Sequence, residues 1–359
     1  MSARRPSAVA IVAALALATA SARAQGPLQI TPGAPAATPA HPSHPAAPKH
    51  VKPSVVRPAA TAAAPAPQPA PPSPGREPDL AYGAYQRGYY LTAFQEATKR
   101  VNDKADPRAM TLLAELYANG LGVPNNDGEA AKWYKLAADR GDREAMFGLA
   151  MFRFRGRGGP QDRGESARLL AAAAKLGQPA AAYNLGLLYL EGQQFPQDLK
   201  RAAELFQSAA QGGSPEAQYA LATMYKDGRG VPQDLKEATR LMGEAAKADF
   251  LDAEVEYAIA LFNGTGARKD EAAAAALFRK ASMQGSPIAQ NRLARIYAFV
   301  RNGVAADPVQ AIKWHLISKA GGNSDLQLDD YMQKQSPETR AAGEKAAKPW
   351  VDLISQIRQ

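Results

Sequence analysis

Ser214-Pro215-Glu216-Ala217-Gln218-Tyr219-Ala220-Leu221-Ala222-Thr223-Met224-Tyr225-Lys226-Asp227-Gly228-Arg229-Gly230-Val231-Pro232-Gln233-Asp234 decides the fold. Ser214 is a side chain suited to cap a helix N-terminus, and Pro215 suits the first helical position, where no amide hydrogen bond is lost. Ala217, Leu221, Met224 and Tyr225 then fall on one helical face. Gly228 and Gly230 permit positive φ, and Pro232 forbids continuation, so the helix breaks there. Asp234, with Glu237 three residues on, has the spacing of a capping box and opens a second helix. Asn126 with Glu129 and Asp162 with Glu165 repeat that spacing. Ala238, Leu241, Ala245 and Ala246 give the second helix its own apolar stripe.

The same sentence is written six times. Ala109, Ala145, Ala181, Ala217, Ala253 and Ala289 are spaced by 36 residues without a slip. Leu113, Leu149, Leu185, Leu221, Tyr257 and Leu293 follow four residues on, then Tyr117, Arg153, Tyr189, Tyr225, Leu261 and Tyr297. Gly120, Gly156, Gly192, Gly228 and Gly264 recur in the same phase. Each copy reads as two antiparallel helices, and alanines at fixed positions let neighbours approach closely. One such pair cannot bury its own apolar faces, so the copies must stack.

The pattern A-x3-L-x3-Y-x2-G-x-G-V-P-x-D, then A-x2-L-x3-AA, resembles the Sel-one-like repeat family, relatives of tetratricopeptide repeats; Leu113 to Val123 and Leu221 to Val231 carry it most fully. Departures are Arg153 for the tyrosine, Gln194 for a glycine, and Val300 and Asn302 for both glycines of the last copy. One inserted residue puts Asp307 at 37 from Asp270. The resemblance implies an all-α, right-handed superhelical solenoid of antiparallel helix pairs and an adaptor role in signalling or envelope complexes. A link to β-lactams among cysteine-rich bacterial relatives is not carried over to this chain, which has no cysteine.

Outside the repeats, the expected organisation is a signal peptide at 1–24, a disordered Pro/Ala-rich linker at 25–79, an N-terminal helical cap or partial repeat at 80–105, six repeats over 106–321 and a C-terminal helical cap at 322–359. Arg4 and Arg5 precede an apolar run from Ala8 to Ala20, and Ala22-Arg23-Ala24 supplies small residues for cleavage. That run is short of the roughly 20 residues that span a bilayer, so no stable membrane span is expected. Sixteen of the 28 prolines lie between Pro27 and Pro78, a composition that favours extended chain over a packed core. The net charge of +9 suggests nucleic acid until it is located: residues 1–78 carry +6 of it, leaving +3 for the rest. No nucleic-acid partner is expected. His41, His44 and His50 are irregularly spaced, and no metal is expected there.

Enzymatic chemistry has little to stand on. The Gly-x-Gly pairs lack a following Gly-Lys-Ser/Thr and recur as turns. No Ser-x-x-Lys, Gly-x-Ser-x-Gly or His-Glu-x-x-His is present. His315 has no second histidine at ligand spacing and reads as a surface or packing residue on the last second helix. No cofactor and no catalytic residue is assigned.

Binding surfaces remain. Two residues after each key alanine, about 200° round the helix, stand Thr111, Phe147, Tyr183, Tyr219, Val255 and Asn291. Four further on are Glu115, Met151, Leu187, Thr223, Ile259 and Arg295. Phe147, Met151, Tyr183, Leu187, Tyr219 and Thr223 are therefore the expected partner-binding ladder of a concave groove suited to a protein or peptide. The alternative is that they pack between adjacent first helices. Arg153, Arg155 and Arg157, interleaved with Phe152 and Phe154, form a candidate basic patch for an acidic partner or a nucleic acid, or else a solvated helix end.

The function expected is a periplasmic scaffold that binds a protein partner. An envelope structural protein held to the cell wall by weak contacts of its basic linker is the alternative, and an enzyme such as a β-lactam hydrolase ranks last. Export makes the first testable statement: the mature chain begins at or near Gln25 and fractionates as soluble periplasmic material. N-terminal sequencing that returns Met1 or Ser2 on membrane-bound protein refutes it.

Overall fold

Most helices begin here where a polar side chain accepts an amide hydrogen bond, those after Tyr89 and Phe250 being exceptions, and five of the six first helices end where glycine turns left-handed. The Ala217 amide donates to Ser214 Oγ at 3.2 Å, and Gly228, at φ 66°, donates its own amide to the Met224 carbonyl. In the computed structural model, residues 79–192, 194–299 and 304–358 are described, and these hold sixteen helices. The expected signal peptide and all of the expected linker but Asp79 lie outside the described residues, as do Val300 and Asn302. The division of residues 1–78 into leader and linker therefore stands as proposed from sequence.

A short helix α1 (Leu80–Gln86) and α2 (Tyr90–Lys104) lead into six pairs. These are α3 (Pro107–Asn119) with α4 (Asp127–Ala138), α5 (Arg143–Arg155) with α6 (Arg163–Lys175), and α7 (Pro179–Glu191) with α8 (Leu199–Gln211). Then come α9 (Pro215–Asp227) with α10 (Leu235–Lys247), α11 (Leu251–Asn263) with α12 (Glu271–Met283), and α13 (Pro287–Phe299) with α14 (Pro308–Ala320). The chain closes with α15 (Leu326–Gln333) and α16 (Pro337–Arg358). From α1 to α14 each helix packs chiefly on the one before and the one after it, which is the connectivity of a solenoid, whereas α16 passes over the short α15 to pack on α14.

The capping boxes form only by half. Asn126, Asp162 and Asp234 accept the amides of Glu129, Glu165 and Glu237. Their own amides donate elsewhere, to the carbonyls of Tyr117, Arg153 and Tyr225 at 2.9–3.0 Å. Asp198, Asp270 and Asp307 do the same to Tyr189, Leu261 and Tyr297. In every repeat the start of the second helix is thus tied to the first helix across the turn. The glutamates are free for local ion pairs with Lys132, Arg168 and Arg240, which are exposed and add little stability.

Small residues set the spacing. Ala145, Ala181, Ala217, Ala253 and Ala289 are wholly buried. The second glycine of the turn faces the previous repeat: a Cβ on Gly230 would collide with the Leu199 carbonyl, and one on Gly266 with the Leu235 carbonyl. Each sits on the first residue of the preceding second helix. Between the first two repeats, Arg157 adds a bidentate ion pair with Asp127 at 2.6 and 3.0 Å and a bond to the Ala118 carbonyl at 2.8 Å.

Both ends are closed by helices that bury alanine against the array. Ala81, Ala84, Ala93 and Ala97 pack with Ala109, Leu112, Leu113 and Leu116. At the other end Trp350 meets Trp314, ring centroids 6.3 Å apart, and Ala347 and Leu328 join the terminal core.

Gly213 and Gly230 separate two costs. Both have positive φ, but nothing stands within 4 Å of a Cβ on Gly213. Gly213→Ala should cost about 1–2 kcal/mol for the left-handed backbone alone. Gly230→Ala should cost that plus roughly 1–3 kcal/mol of overpacking. Denaturant melts of the two variants measure the difference, and equal midpoints would mean that the repeats do not meet at Gly230.

Candidate functional site

Six first helices lie side by side, and the exposed positions on them define the surface open to a partner. The sequence placed a ladder of side chains there, and burial corrects it. Tyr183 (4% exposed), Tyr219 (8%), Met151 and Leu187 are buried, so they do not stand on an open face. Phe147 is half-buried against Ala150, Leu170 and Leu185. Thr223 is also half-buried, and its hydroxyl donates to the Tyr219 carbonyl at 3.0 Å.

The reason is geometric. A first helix in this stack packs on its own second helix and on the second helix of the preceding repeat, and its side chains also reach the next first helix, as Lys226 reaches Glu256, so most of its circumference is enclosed. The position two after the key alanine reaches the start of the next first helix. Tyr219 stacks obliquely on Phe250, centroids 5.4 Å apart, Thr111 Oγ1 lies 3.0 Å from Asp142 Oδ1, and Asn291 donates to Asp325 at 3.0 Å. Tyr183 instead meets Phe206 of its own repeat at 5.6 Å. Its buried hydroxyl has no hydrogen-bond partner, and burial, with Glu216 nearby, holds it well above the usual phenol range. The expected ladder is largely a seam between helices.

The basic run is also drawn into structure. Arg157 is held by Asp127 and lies over the Phe152 ring at 4.4 Å. Arg153 and Arg155 are half-buried at the end of α5, and Phe154 takes Arg163 over its ring at 5.5 Å. The three arginines do not share one open face.

What the first helices do expose is polar and mostly acidic in the middle of the array. Glu191, Asp227 and Asp252 are exposed, with Glu216 and Glu256 half-buried. Burial, then Glu256, raises the Asp252 carboxyl above its ordinary range. Lys226 offsets Glu256 at 2.9 Å.

At the N-terminal end the same face deepens into a cleft of about 810 Å³ between α1, α3 and the start of α5. It is lined by Tyr82 and Tyr85 of α1, Leu112 and Glu115 of α3, Arg143 and Glu144 of α5, and Leu176 just after α6. The sequence reading missed it, because its residues come from helices far apart in the chain. Burial pushes the Glu115 carboxyl up to about 7, with Glu144 and Asp142 adding to the effect. Among the described residues, no three His, Asp or Glu side chains converge as a metal site, and no helix is long and apolar enough to cross a membrane.

If the ladder is a seam, truncating it should cost stability. Tyr183→Ala and Tyr219→Ala should each lower stability by about 2–5 kcal/mol, like Leu185→Ala at the central stripe. Thermal melts followed by circular dichroism check this; tyrosine variants that melt like the parent would return those rings to the surface.

The Sel1 repeat model matches residues 107–142, 143–178, 179–214, 215–250, 251–286 and 287–323, more than half of the chain. The structure is similar to c5321, a protective antigen of uropathogenic Escherichia coli displaying an SLR fold, at 25% identity and TM-score 0.62. That match covers 78% of this chain and 62% of c5321, so the chain spans less than two thirds of that relative. A Sel1 repeat protein from Oxalobacter formigenes is similar at 25% identity and TM-score 0.56, covering 66% of this chain and 96% of its own. No curated protein matches. The chain belongs to the Sel1 repeat family, whose members generally serve as scaffolds for protein–protein interaction and are typically non-enzymatic.

Proposed function

We propose that this protein is an exported, non-enzymatic scaffold that works in the periplasm and binds a protein partner along the face formed by its first helices. The observation that carries the reading is that face itself. It combines a polar, largely acidic run (Glu191, Asp227, Asp252) with a cleft holding the exposed Tyr82 ring. Polar groups around a recessed aromatic site are features of protein-recognition surfaces. The N-terminal leader features of the sequence support export. The buried Tyr183, Tyr219, Met151 and Leu187 shape the face from beneath, while Phe147 and Thr223 remain candidates for contact.

Site-directed photo-crosslinking in intact cells tests this. A crosslinker at Asn184, Glu191 or Asp227, on first helices, should capture one defined protein. At Lys200 or Lys236, exposed on second helices, it should capture at least fivefold less. Equal adducts from both faces, or attachment only to cell-wall material, would overturn the groove reading. The second of these outcomes would favour a structural protein tethered by its basic N-terminal segment.

A further inference from the structure

The cleft between α1, α3 and α5 contains a group whose chemistry is unfinished. Glu115 lines it, half-buried. Among the described residues no hydrogen bond and no ion pair reaches its carboxylate, whereas the acids around it are engaged. Asp79 is paired with Arg100 at 2.6 Å, Asp142 accepts the Ala145 amide at 2.8 Å, and Glu144 accepts from Gln178 at 3.0 Å. A half-buried carboxylate left without partners is costly, and a cation placed on it recovers much of that cost.

The walls suit the stem and head of such a cation. Tyr82 and Tyr85 stack with centroids 6.1 Å apart, offering ring faces to a cation or to the methylenes behind it. Leu112 and Leu176 extend the apolar lining. The arginines of the cleft do not fill the position: Arg143 donates to the Leu176 and Gly177 carbonyls at 3.1 and 3.2 Å, and Arg140 to the Leu136 carbonyl at 3.0 Å. Arg108 is exposed.

We propose that this cleft receives an arginine or lysine side chain of the partner polypeptide, its charged end on Glu115 and its stem along Tyr82, Tyr85 and Leu112. The biological partner rests on the scaffold reading above; the chemistry of the cleft does not. Burial, then Glu144 and Asp142 at the start of α5, raise the Glu115 carboxyl; Asp79, Tyr82 and Tyr85 from the N-terminal end, Tyr134 from α4, and the arginines at 108, 140 and 143 are the other titratable and charged groups around it. With a carboxyl at about 7 in the empty cleft, the ionised fraction rises from roughly a tenth near pH 6 to nine-tenths near pH 8. Affinity for a cation should then tighten about tenfold across that interval.

The test uses the full chain and N-acetyl-argininamide as probe, with neutral N-acetyl-citrullinamide as its twin, followed by carboxyl-carbon and tyrosine-ring NMR. The argininamide should shift the Glu115 and Tyr85 signals and bind about tenfold more tightly near pH 8 than near pH 6. The citrullinamide should bind at least tenfold more weakly. Glu115→Gln, verified as folded by circular dichroism, should lose both the affinity and its pH dependence, while Glu204→Gln, at an exposed position on the second helix α8, should keep them. Argininamide that binds Glu115→Gln as well as the parent, or that leaves the Glu115 signal unmoved near pH 8, overturns the assignment. A crosslinked partner captured equally by Glu115→Gln overturns the cleft's role and leaves the scaffold reading standing. Argininamide binding as expected with no partner in cells upholds the cleft and sinks the scaffold reading instead.

Discussion

The array stands on close approach between helices, which is possible only where side chains stop at Cβ or are missing. The alanine two positions into each first helix after Pro or its equivalent, as in Ala181, Ala217 and Ala289, lets helices meet with no exposed surface left on that residue. Gly230 and Gly266 let the turn of one repeat rest on the carbonyl that begins the previous second helix. Larger apolar residues, such as Phe206 and Phe278, fill the interior once this spacing exists. Burial of that apolar surface supplies the main driving force, but the small residues determine which surfaces can be buried together.

The turn tie adds direction to this packing. A second helix could leave its turn at many angles if only apolar contact held it. The amide of Asp198, Asp234 or Asp270 bonded back to the first-helix carbonyl limits that freedom in each copy. Where the repeat pattern gains a residue, Asp307 still donates to Tyr297, at 3.2 Å. The bond therefore tolerates a one-residue insertion that the spacing of the sequence motif does not. Because each pair rests on its immediate neighbours, a lesion in one repeat is expected to stay largely local.

Much of this was legible in the sequence because it is local and repeated. Caps, left-handed glycines and the alanine stripe depend on residues a few positions apart, and six copies reinforce the signal. The capping glutamates were legible in position but not in partner, since the competing acceptor, a first-helix carbonyl, lies across a turn. For the ladder, the sequence left groove contact and packing both open, and burial favours packing for a different reason. A helical wheel assigns one buried face and one open face, whereas α7 buries Ala181, Tyr183, Leu185 and Leu187 on different sides. In a stack, the side opposite the own-repeat partner can still face a neighbouring helix. The cleft was invisible because Tyr82, Glu115 and Leu176 meet only after three repeats' worth of chain has been folded.

Where the array ends, the rule of enclosed faces relaxes, and this is where an unpartnered acid can be kept. In the interior, Glu254 is wholly buried but is met by Lys280 and Gln284, as a buried charge must be. Glu115 has no such partner, so burial and the acids beside it favour its neutral form. The folded state then holds a proton that the unfolded chain gives up at the ordinary carboxylate range. As pH rises from that range through about 7, the folded state is disfavoured relative to the unfolded chain. A cation bound on Glu115 works against this loss, because it stabilises the ionised form and binds the folded state alone. Since each repeat leans mainly on its neighbours, the first repeats can carry this penalty without loosening the rest, and the terminal position of the cleft follows from the same packing that closes the middle of the array.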